Sequence, residues 1–286
     1  MSDETQTVRA NVLLFHCRID GPEGAPWLVF SNSLVTDLSV WDAQVAAFAG
    51  RYRTLRYDQR GHGGTEVPAE PANFEVLAND AAALMDHFGI RGAVVAGVSM
   101  GAATALLLAA RRPDLVSAVV ASDGQAATAP GGAQAWQDRI DLAREKGMEA
   151  FADATVKRWF SPASVSAAHP AIPRVRRMIA TTAEPGFVAC ARALQSYDLR
   201  AELPALRQPV LLIAGETDGA MPATMRAMAT SIPDARFVEI SAAGHLPCIE
   251  APGPFNAAVE AFLAEKVPRI EFASPDDPTA KAVPEA

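Results

Sequence analysis

Three short, unbroken runs of apolar residues place the strongest constraint on the fold of this chain. They span residues 94–96, 119–121 and 210–213. A strand that exposes one face to water alternates apolar and polar side chains, whereas a strand covered on both faces is apolar throughout. Longer alanine-rich segments with helical periodicity separate the runs. The pattern therefore predicts an α/β fold in which helices cover both faces of a mostly parallel, doubly wound sheet.

The same alternation predicts the individual elements along the chain. We expect strands near residues 11–18, 26–31, 53–58, 93–98, 116–122, 209–215 and 235–240. We expect helices near residues 39–49, 74–88, 101–111, 222–231 and 254–266.

Residues 124–200 interrupt the alternation because they contain no convincing strand. Two helices are predicted there, at 134–146 and 147–160. An insertion between two strand–helix units is typical of a helical cap, or lid, over the ligand-binding edge of the sheet. The expected organisation is a core of residues 1–123 and 201–267, a cap of residues 124–200 and a loose tail of residues 268–286.

Composition and charge exclude several classes of function. No apolar run approaches 18 residues, and the polar first residues lack the apolar centre of a secretory signal. Cys17, Cys190 and Cys248 are too widely spaced for a disulfide framework or a zinc cage, and no H-x-x-x-H or C-x-x-C spacing occurs. The net charge is −8 and no basic stripe is present, which argues against nucleic acid. We expect a cytoplasmic protein with no metal, no cofactor and no membrane or nucleic-acid partner.

One predicted strand ends in Gly97-Val98-Ser99-Met100-Gly101, and a helix follows directly. This is the G-x-S-x-G pattern of a nucleophile elbow, where glycine flanks the serine because the turn is too tight for a Cβ. Such a turn exposes the serine hydroxyl at the carboxyl end of the sheet and directs backbone N–H groups to the same point. Ser99 is therefore the predicted nucleophile.

A serine hydroxyl needs a base within hydrogen-bond reach, and the base needs a carboxylate that orients it. After this elbow the chain order is acid, then histidine. His245 follows the last predicted strand and is the expected base, whereas His169 lies in the cap. Asp218 follows the strand at 209–215 and is the expected acid. Asp123 ends another strand and is the alternative acid, although Ser-Asp-Gly is also ordinary turn chemistry.

Acyl transfer also needs hydrogen-bond donors for the tetrahedral oxyanion. The Met100 N–H at the start of the elbow helix is one expected donor. The loop after the strand at 26–31 supplies the other, and there we expect the Leu34 N–H. The neighbouring Ser33 either adds a hydroxyl near the substrate or has a role in the turn.

Taken together, these motifs resemble the α/β-hydrolase superfamily over residues 10–266. A narrower resemblance is to the 3-oxoadipate enol-lactone hydrolases. It is carried by Ser31-Asn32-Ser33-Leu34, Thr36-Asp37-Leu38-Ser39, Trp41-Asp42, Leu55-Arg56-Tyr57-Asp58, Arg60-Gly61-His62-Gly63, Arg158-Trp159-Phe160 and Tyr197-Asp198-Leu199-Arg200. The resemblance implies a cofactor-free enzyme that opens an enol-lactone in the β-ketoadipate route of aromatic degradation. Val35, Ala102 and Thr65 depart from the glycine, glycine and serine that are usual in that family.

The cap differs in charge from the rest of the chain. Residues 124–200 hold ten Lys and Arg against seven Asp and Glu, although the whole chain carries −8. A cationic lid favours an anionic substrate, because one or two inward-facing arginines clamp a carboxylate bidentately. Arg139 and Arg158 are the expected clamps, with Trp136 and Trp159 beside them in the sequence.

The sequence thus predicts a serine hydrolase that opens a small carboxylated lactone or ester through an acyl-enzyme. A carboxylesterase, a C–C hydrolase of ring-cleavage products or an amide hydrolase of a substituted succinate would use the same site. The amide hydrolase would fit an acid at Asp123. A binding protein that has lost turnover is a further alternative, and an intact serine, histidine and acid set argues against it.

Overall fold

The structure is a computed structural model, and it describes residues 4–266. Its strands are β1 (Glu4–Ala10), β2 (Leu13–Asp20), β3 (Trp27–Ser31), β4 (Arg53–Tyr57), β5 (Ala93–Val98), β6 (Val116–Ser122), β7 (Val210–Gly215) and β8 (Ala235–Ile240). Its helices are α1 (Asp42–Phe48), α2 (Phe74–His87), α3 (Met100–Arg111), α4 (Gly132–Trp159), α5 (Pro162–Ser166), α6 (Ala171–Thr181), α7 (Glu184–Gln195), α8 (Met221–Ala229), α9 (Pro247–Glu250) and α10 (Pro252–Lys266).

The strands form one sheet in the order β1-β2-β4-β3-β5-β6-β7-β8. The β1–β2 and β2–β4 pairs are antiparallel, and all the other pairs are parallel. Every residue of β5 and β7 is buried, as their unbroken apolar sequences predict. The α3 helix packs on β5 and β6, and α8 packs on β7 and β8. The predicted α/β fold class is confirmed.

The carboxyl ends of the parallel strands meet at one edge of the sheet. The register pairs Ser31 with Gly97, Ser122 with Val98 and Gly215 with Ile240. The loops that follow β3, β5, β6, β7 and β8 therefore begin side by side. The predicted nucleophile, base and acids and the two predicted oxyanion donors all lie at or just after these strand ends.

Four helices, α4 to α7, lie between β6 and β7, and α4 packs against α6 and α7. The α4 helix spans both of the helices expected there. Gly147, with φ 80° and ψ 166°, divides it into two segments that correspond to these two helices. That left-handed conformation suits glycine and ends one helical segment before the next begins. The division into a core and a separate cap stays a prediction, and the expected tail at 268–286 lies outside the described residues.

The amino-terminal hairpin differs from the expectation. The strand expected at 11–18 begins instead at Leu13, because Asn11 and Val12 form a turn with φ values of 39° and 69°. The preceding strand β1 pairs with β2 at the edge of the sheet and was not predicted. No helix within residues 4–266 is both long and apolar enough to cross a bilayer.

Candidate active site

Ser99 occupies the sharp turn between β5 and α3, with φ 57° and ψ −114°. Two glycines make the turn possible. A Cβ on Gly97 would lie 2.1 Å from the Gly101 carbonyl oxygen, and a Cβ on Gly101 would lie 2.1 Å from the Ser31 carbonyl oxygen. Both distances are far below van der Waals contact, so the strand, the turn and the helix close on each other only without these side chains.

His245 and Asp218 are in hydrogen-bond contact behind the serine. The Nδ1 of His245 donates to Oδ2 of Asp218 over 2.7 Å, which leaves Nε2 as the ring nitrogen available to a substrate. Burial opposes ionisation of Asp218, but the charge of His245 and its hydrogen bond hold the pKa of this carboxyl below its usual value. The structure thus brings together the expected base and the expected acid.

The end of α4 fixes the position of the histidine. The His245 backbone N–H donates to the Trp159 carbonyl oxygen over 2.7 Å, and the two rings contact each other at a tilt of 32° with centroids 5.2 Å apart. Glu250 is buried and accepts hydrogen bonds from the backbone N–H groups of Ser161 and Gly244, at 2.9 and 2.8 Å. The loop that carries the histidine is therefore tied to the segment that follows α4.

The Leu34 and Met100 N–H groups have no acceptor among residues 4–266. Leu34 lines the same cavity as Ser99, and Met100 begins α3 directly after Ser99; their role as oxyanion donors stays a prediction. Asn32 supports this loop, because its side chain donates to the Tyr57 carbonyl oxygen over 2.9 Å. Ser33 is fully buried, is not part of the cavity lining, and its hydroxyl has no partner within the described chain.

A cavity of about 290 Å³ opens above Ser99 and His245. The α4 helix contributes Arg139 and Arg158 to its wall. The cavity is lined by Leu34, Ser99, Asp123, Gly124, Gln125, Ala129, Gly132, Ala135, Trp136, Arg139, Arg158, Trp159, Leu194, Tyr197, Asp218, Met221 and His245. The four expected cap residues all belong to this lining.

Neither cavity arginine forms an ion pair or a side-chain hydrogen bond within residues 4–266. The Arg139 guanidinium lies over the Trp136 ring at 4.4 Å. Arg158 is exposed along part of its side chain, yet desolvation at the cavity wall and the charge of Arg139 lower its pKa to about 10. Burial also lowers the pKa of Arg139. Two partly desolvated guanidinium groups on one cavity wall, neither of them in an ion pair within the described chain, form a site that favours an anionic ligand.

Asp123, the alternative acid, lies behind Asp218 and is not hydrogen-bonded to His245. It is 1% exposed, and its carboxyl accepts from the Gly215 N–H over 2.8 Å and from the Ser122 hydroxyl over 2.6 Å. Burial first, and then the charge of Asp218, raises the pKa of Asp123 well above its usual value. The site therefore holds a second carboxyl group next to the one that contacts the imidazole.

Sequence reasoning missed several residues of the site. Glu250 carries no motif, and its two partners are distant from each other in sequence. Gln125 follows the strand end that carries Asp123, and its carbonyl accepts from the Tyr197 hydroxyl over 3.1 Å. Tyr197 lies in a segment that carries the family resemblance, but nothing in the local sequence indicates that it lines the cavity.

Comparison with known proteins gives the family of this fold. A sequence model of the α/β-hydrolase fold matches residues 26–252. The chain belongs to the α/β-hydrolase family. The predicted resemblance to enol-lactone hydrolases is also confirmed, because 3-oxoadipate enol-lactonase 2 of Acinetobacter baylyi is 34% identical over 252 residues, which cover 85% of this chain and 90% of the relative.

Two further α/β-hydrolase relatives agree with this result. The 3-oxoadipate enol-lactonase 1 of the same organism is 33% identical over 259 residues, covering 86% of this chain and 91% of the relative. The crystal structure of the enol-lactonase from Burkholderia xenovorans LB400 superposes with a TM-score of 0.87 at 38% identity, covering 91% of this chain and 100% of that one. The protein is a hydrolase of the α/β fold.

Proposed function

We propose that this hydrolase opens a small carboxylated enol-lactone or ester through an acyl-enzyme at Ser99. The observation that carries the proposal is the pair Arg139 and Arg158, two unpaired guanidinium groups on the wall of the cavity that holds Ser99 and His245. A carboxylate bound there would reach two cations at once. The names of the relatives, 3-oxoadipate enol-lactonases, support an enol-lactone as the substrate, and the resemblance of the sequence to that family implies a place in aromatic degradation.

In the proposed acylation, Oγ of Ser99 attacks the lactone carbonyl carbon and its proton passes to Nε2 of His245. Asp218 holds Nδ1 and stabilises the imidazolium that forms. The tetrahedral oxyanion accepts from the N–H groups of Leu34 and Met100. When the intermediate collapses, the ring C–O bond breaks and the proton on Nε2 moves to the departing enolate oxygen.

Deacylation repeats these steps with water. His245 takes a proton from the water, the resulting hydroxide attacks the ester carbon, and the Ser99 oxygen leaves with that proton. The leaving oxygen of a lactone stays attached to the acyl chain, so the whole product is released after the second step. The product carries one carboxylate more than the substrate. No step in this scheme needs a metal or an organic cofactor.

The proposal is tested by neutralising the cavity arginines one at a time. The substrates are an enol-lactone with a carboxymethyl group and the methyl ester of the same lactone, which differ in charge and hardly in shape. We expect Arg139→Ala and Arg158→Ala each to lower kcat/KM for the acid by at least about tenfold, because a desolvated charge-assisted pair contributes about 2–5 kcal/mol. The methyl ester should lose much less.

Arg144→Ala is the matched control, since Arg144 lies on the same helix, pairs with Glu184 at 3.3 Å and does not line the cavity. It should leave both substrates unaffected. Equal losses on the acid and the methyl ester would mean that the arginines serve packing. Unchanged kcat/KM for the acid in both variants would overturn recognition of a carboxylate and leave a general esterase.

A further inference from the structure

Two carboxyl groups lie next to each other behind the histidine. Asp123 ends β6, Asp218 follows the neighbouring β7, and the two strands are paired in parallel. One oxygen of Asp123, one oxygen of Asp218 and one ring nitrogen of His245 all lie within 4.8 Å of one another. Asp123, Asp218 and His245 therefore lie in close proximity, with Asp218 hydrogen-bonded to His245 and the Asp123 carboxyl beside that of Asp218.

Within residues 4–266, Asp123 forms no ion pair that would compensate a second negative charge. Its two donors, the Gly215 N–H and the Ser122 hydroxyl, are neutral. The titratable groups that face it from the neighbouring elements are Asp218, His245 and the buried thiol of Cys248. Arg158 lies beyond Asp218, and its charge acts on Asp218 rather than on Asp123.

Two adjacent carboxyl groups, one of them wholly buried, do not both ionise, because the second charge meets both repulsion and desolvation. The proton is more stable on Asp123, which is the more buried of the two and has no cationic partner among the described residues. Asp218 has the hydrogen bond to His245 and is the ionised member. The pKa of Asp123 moves upward and that of Asp218 downward, in agreement with this distribution.

We propose that Asp123 is a neutral carboxylic acid that donates its proton in a hydrogen bond to Asp218 and so fixes the Asp218 carboxylate against Nδ1 of His245. Asp123 is then a positioning residue that acts through Asp218, and this role rests on the function proposed above. A neutral donor orients the acid without adding a second negative charge beside the imidazole. A charged group there would add a second negative charge beside the imidazole and stabilise its protonated form.

The backbone at Asp123 makes a clean test possible. Its φ is 48°, a left-handed conformation that asparagine and glycine adopt readily and that most other residues do not. Asp123→Asn keeps the shape and an N–H donor but is permanently neutral. Asp123→Gly keeps the backbone and removes the donor. The two variants therefore differ in the proposed hydrogen bond with little difference in backbone strain.

Kinetics with the neutral ester p-nitrophenyl acetate measure the effect on turnover. We expect Asp123→Asn to keep kcat within about tenfold, whereas Asp218→Asn loses on the order of 10⁴ because the amide favours the wrong imidazole tautomer. Asp123→Gly should lower kcat by about 10- to 100-fold with little change in KM, since a hydrogen bond to a charged group is lost. Wild-type kcat in Asp123→Gly would overturn the positioning role.

The pH profile separates a neutral Asp123 from an ionised one. The acid limb of kcat/KM reports protonation of the essential base in the free enzyme. This limb should coincide in the wild type and Asp123→Asn, because both have a neutral group at position 123. A shift of the limb to lower pH by about one unit in Asp123→Asn would show that the native group is ionised, and would overturn the proposal.

A spectroscopic measurement tests the proton without relying on turnover. With 13Cγ-labelled aspartate, the chemical shift of the carboxyl carbon distinguishes acid from carboxylate, and comparison with Asp123→Asn assigns the resonance. We expect Asp123 to remain protonated at pH 7, in the wild type and in Ser99→Ala. A deprotonated Asp123 at pH 7 would overturn the inference even if Ser99 is the nucleophile. A protonated one would support it even if the substrate is not a lactone.

Discussion

Ser99, the proposed nucleophile, has a strained backbone conformation that lowers the free energy of unfolding. Its φ of 57° and ψ of −114° lie outside the regions that L-residues populate, and a non-glycine residue held there costs about 1–3 kcal/mol. The strain is sustained by the close contacts of Gly97 and Gly101 with the neighbouring backbone. It places Ser99 at the cavity, directly before Met100, the first residue of α3.

Substitutions of Ser99 distinguish the contribution of its hydroxyl to turnover from the effect of its strained backbone on stability. Ser99→Ala should abolish turnover and unfold at nearly the same denaturant concentration as the wild type, because the strain stays and only the hydroxyl is lost. Ser99→Gly should also be inactive, but more stable than Ser99→Ala by about 1–2 kcal/mol because glycine relieves the strained φ. Urea titrations and esterase assays measure both effects.

A fluorophosphonate probe provides the control for the serine. It should label the wild type once and leave both Ser99 variants unlabelled, since the probe reacts with the activated hydroxyl. Retention of more than a few per cent of wild-type turnover in Ser99→Ala would remove this residue from the mechanism.

Single residues of the site were predictable where a local sequence motif or a position after a predicted strand indicates the chemical role. Ser99 lies in a five-residue motif, and His245 and Asp218 directly follow predicted strands. The contact between Asp123 and Asp218 was not predictable, although each residue was identified. The sequence places both at strand ends, but only the order of the strands in the sheet shows that one carboxyl lies behind the other.

At the scale of elements, the site depends on a junction between the end of α4 and the loop that follows β8. A Cβ on Gly244 would lie 2.2 Å from the Trp159 carbonyl oxygen, so the two segments touch through their backbones. Glu250 joins them with one oxygen on each side, at the Ser161 N–H and at the Gly244 N–H. The arginine-bearing helix and the histidine are therefore positioned by one buried carboxylate.

This junction predicts that Glu250→Gln lowers both stability and turnover. The amide keeps the shape but has only one acceptor oxygen, so one buried N–H loses its partner at a cost of about 1–3 kcal/mol. We expect the free energy of unfolding to fall by that amount and kcat to fall about tenfold, because His245 is less well positioned. Denaturant titration and esterase assays measure the two changes.

Glu216→Gln is the matched control for this prediction. Glu216 also accepts a backbone hydrogen bond in the loop after β8, from the Ala242 N–H over 2.7 Å, but it is exposed to solvent. Water replaces the lost acceptor there, so stability and kcat should hardly change. Similar effects of the two substitutions would refute a special role for the buried carboxylate.

Elements were predictable where burial is complete and less so at the edge of the sheet. The central strands β5, β6 and β7 agree with their expected ranges to within one residue, because strands covered on both faces have unbroken apolar sequences. The edge strand β1 has only Val8 and Ala10 as buried apolar residues, a signal too weak to identify it. Its tight turn uses Asn11-Val12, which lacks the glycine that usually marks such turns.

At the scale of the whole molecule, the net charge of residues 124–200 is opposite in sign to that of the rest of the chain. The chain carries −8, yet residues 124–200 have three more basic than acidic side chains. Four of these ten basic residues, Arg144, Arg174, Arg176 and Arg200, form ion pairs, as Arg176 does with Asp153 at 2.6 Å and Arg144 with Glu184 at 3.3 Å. Among the basic residues without an ion pair in the part of the chain that the structure describes, Arg139 and Arg158 line the cavity, so the positive charge that would act on a bound anionic substrate is local to these two. Long-range attraction by the molecule as a whole is not the source of the proposed selectivity.

The stability of the whole molecule should depend on pH through a histidine outside the catalytic site. His62 is buried after β4, its Nδ1 donates to the Arg60 carbonyl oxygen over 2.9 Å, and its Nε2 has no partner among the described residues. Burial lowers the pKa of His62 from 6.5 to about 4. In the unfolded chain the imidazole binds a proton below about pH 6.5, whereas in the folded protein it stays neutral until about pH 4.

Between these two pH values the unfolded state binds more protons, so the free energy of unfolding decreases as the pH falls. The loss due to His62 should reach about 3 kcal/mol by pH 4 and be absent above pH 7. Buried carboxyls with raised pKa, such as Asp58 and Asp80, act in the opposite direction over part of the range. The comparison of wild type with His62→Asn cancels their effect, because the carboxyls are present in both proteins.

We therefore expect His62→Asn to be less stable than the wild type at pH 7.5 and to lose this deficit as the pH falls. The asparagine amide takes the place of Nδ1 but does not titrate, so the variant lacks the penalty that the wild type acquires below pH 6.5. Urea titrations at half-unit intervals from pH 7.5 to 4 measure the difference in unfolding free energy. The curves of the two proteins should converge by up to about 3 kcal/mol. A difference that stays constant over this range would mean that His62 is protonated in the folded protein as readily as in the unfolded chain.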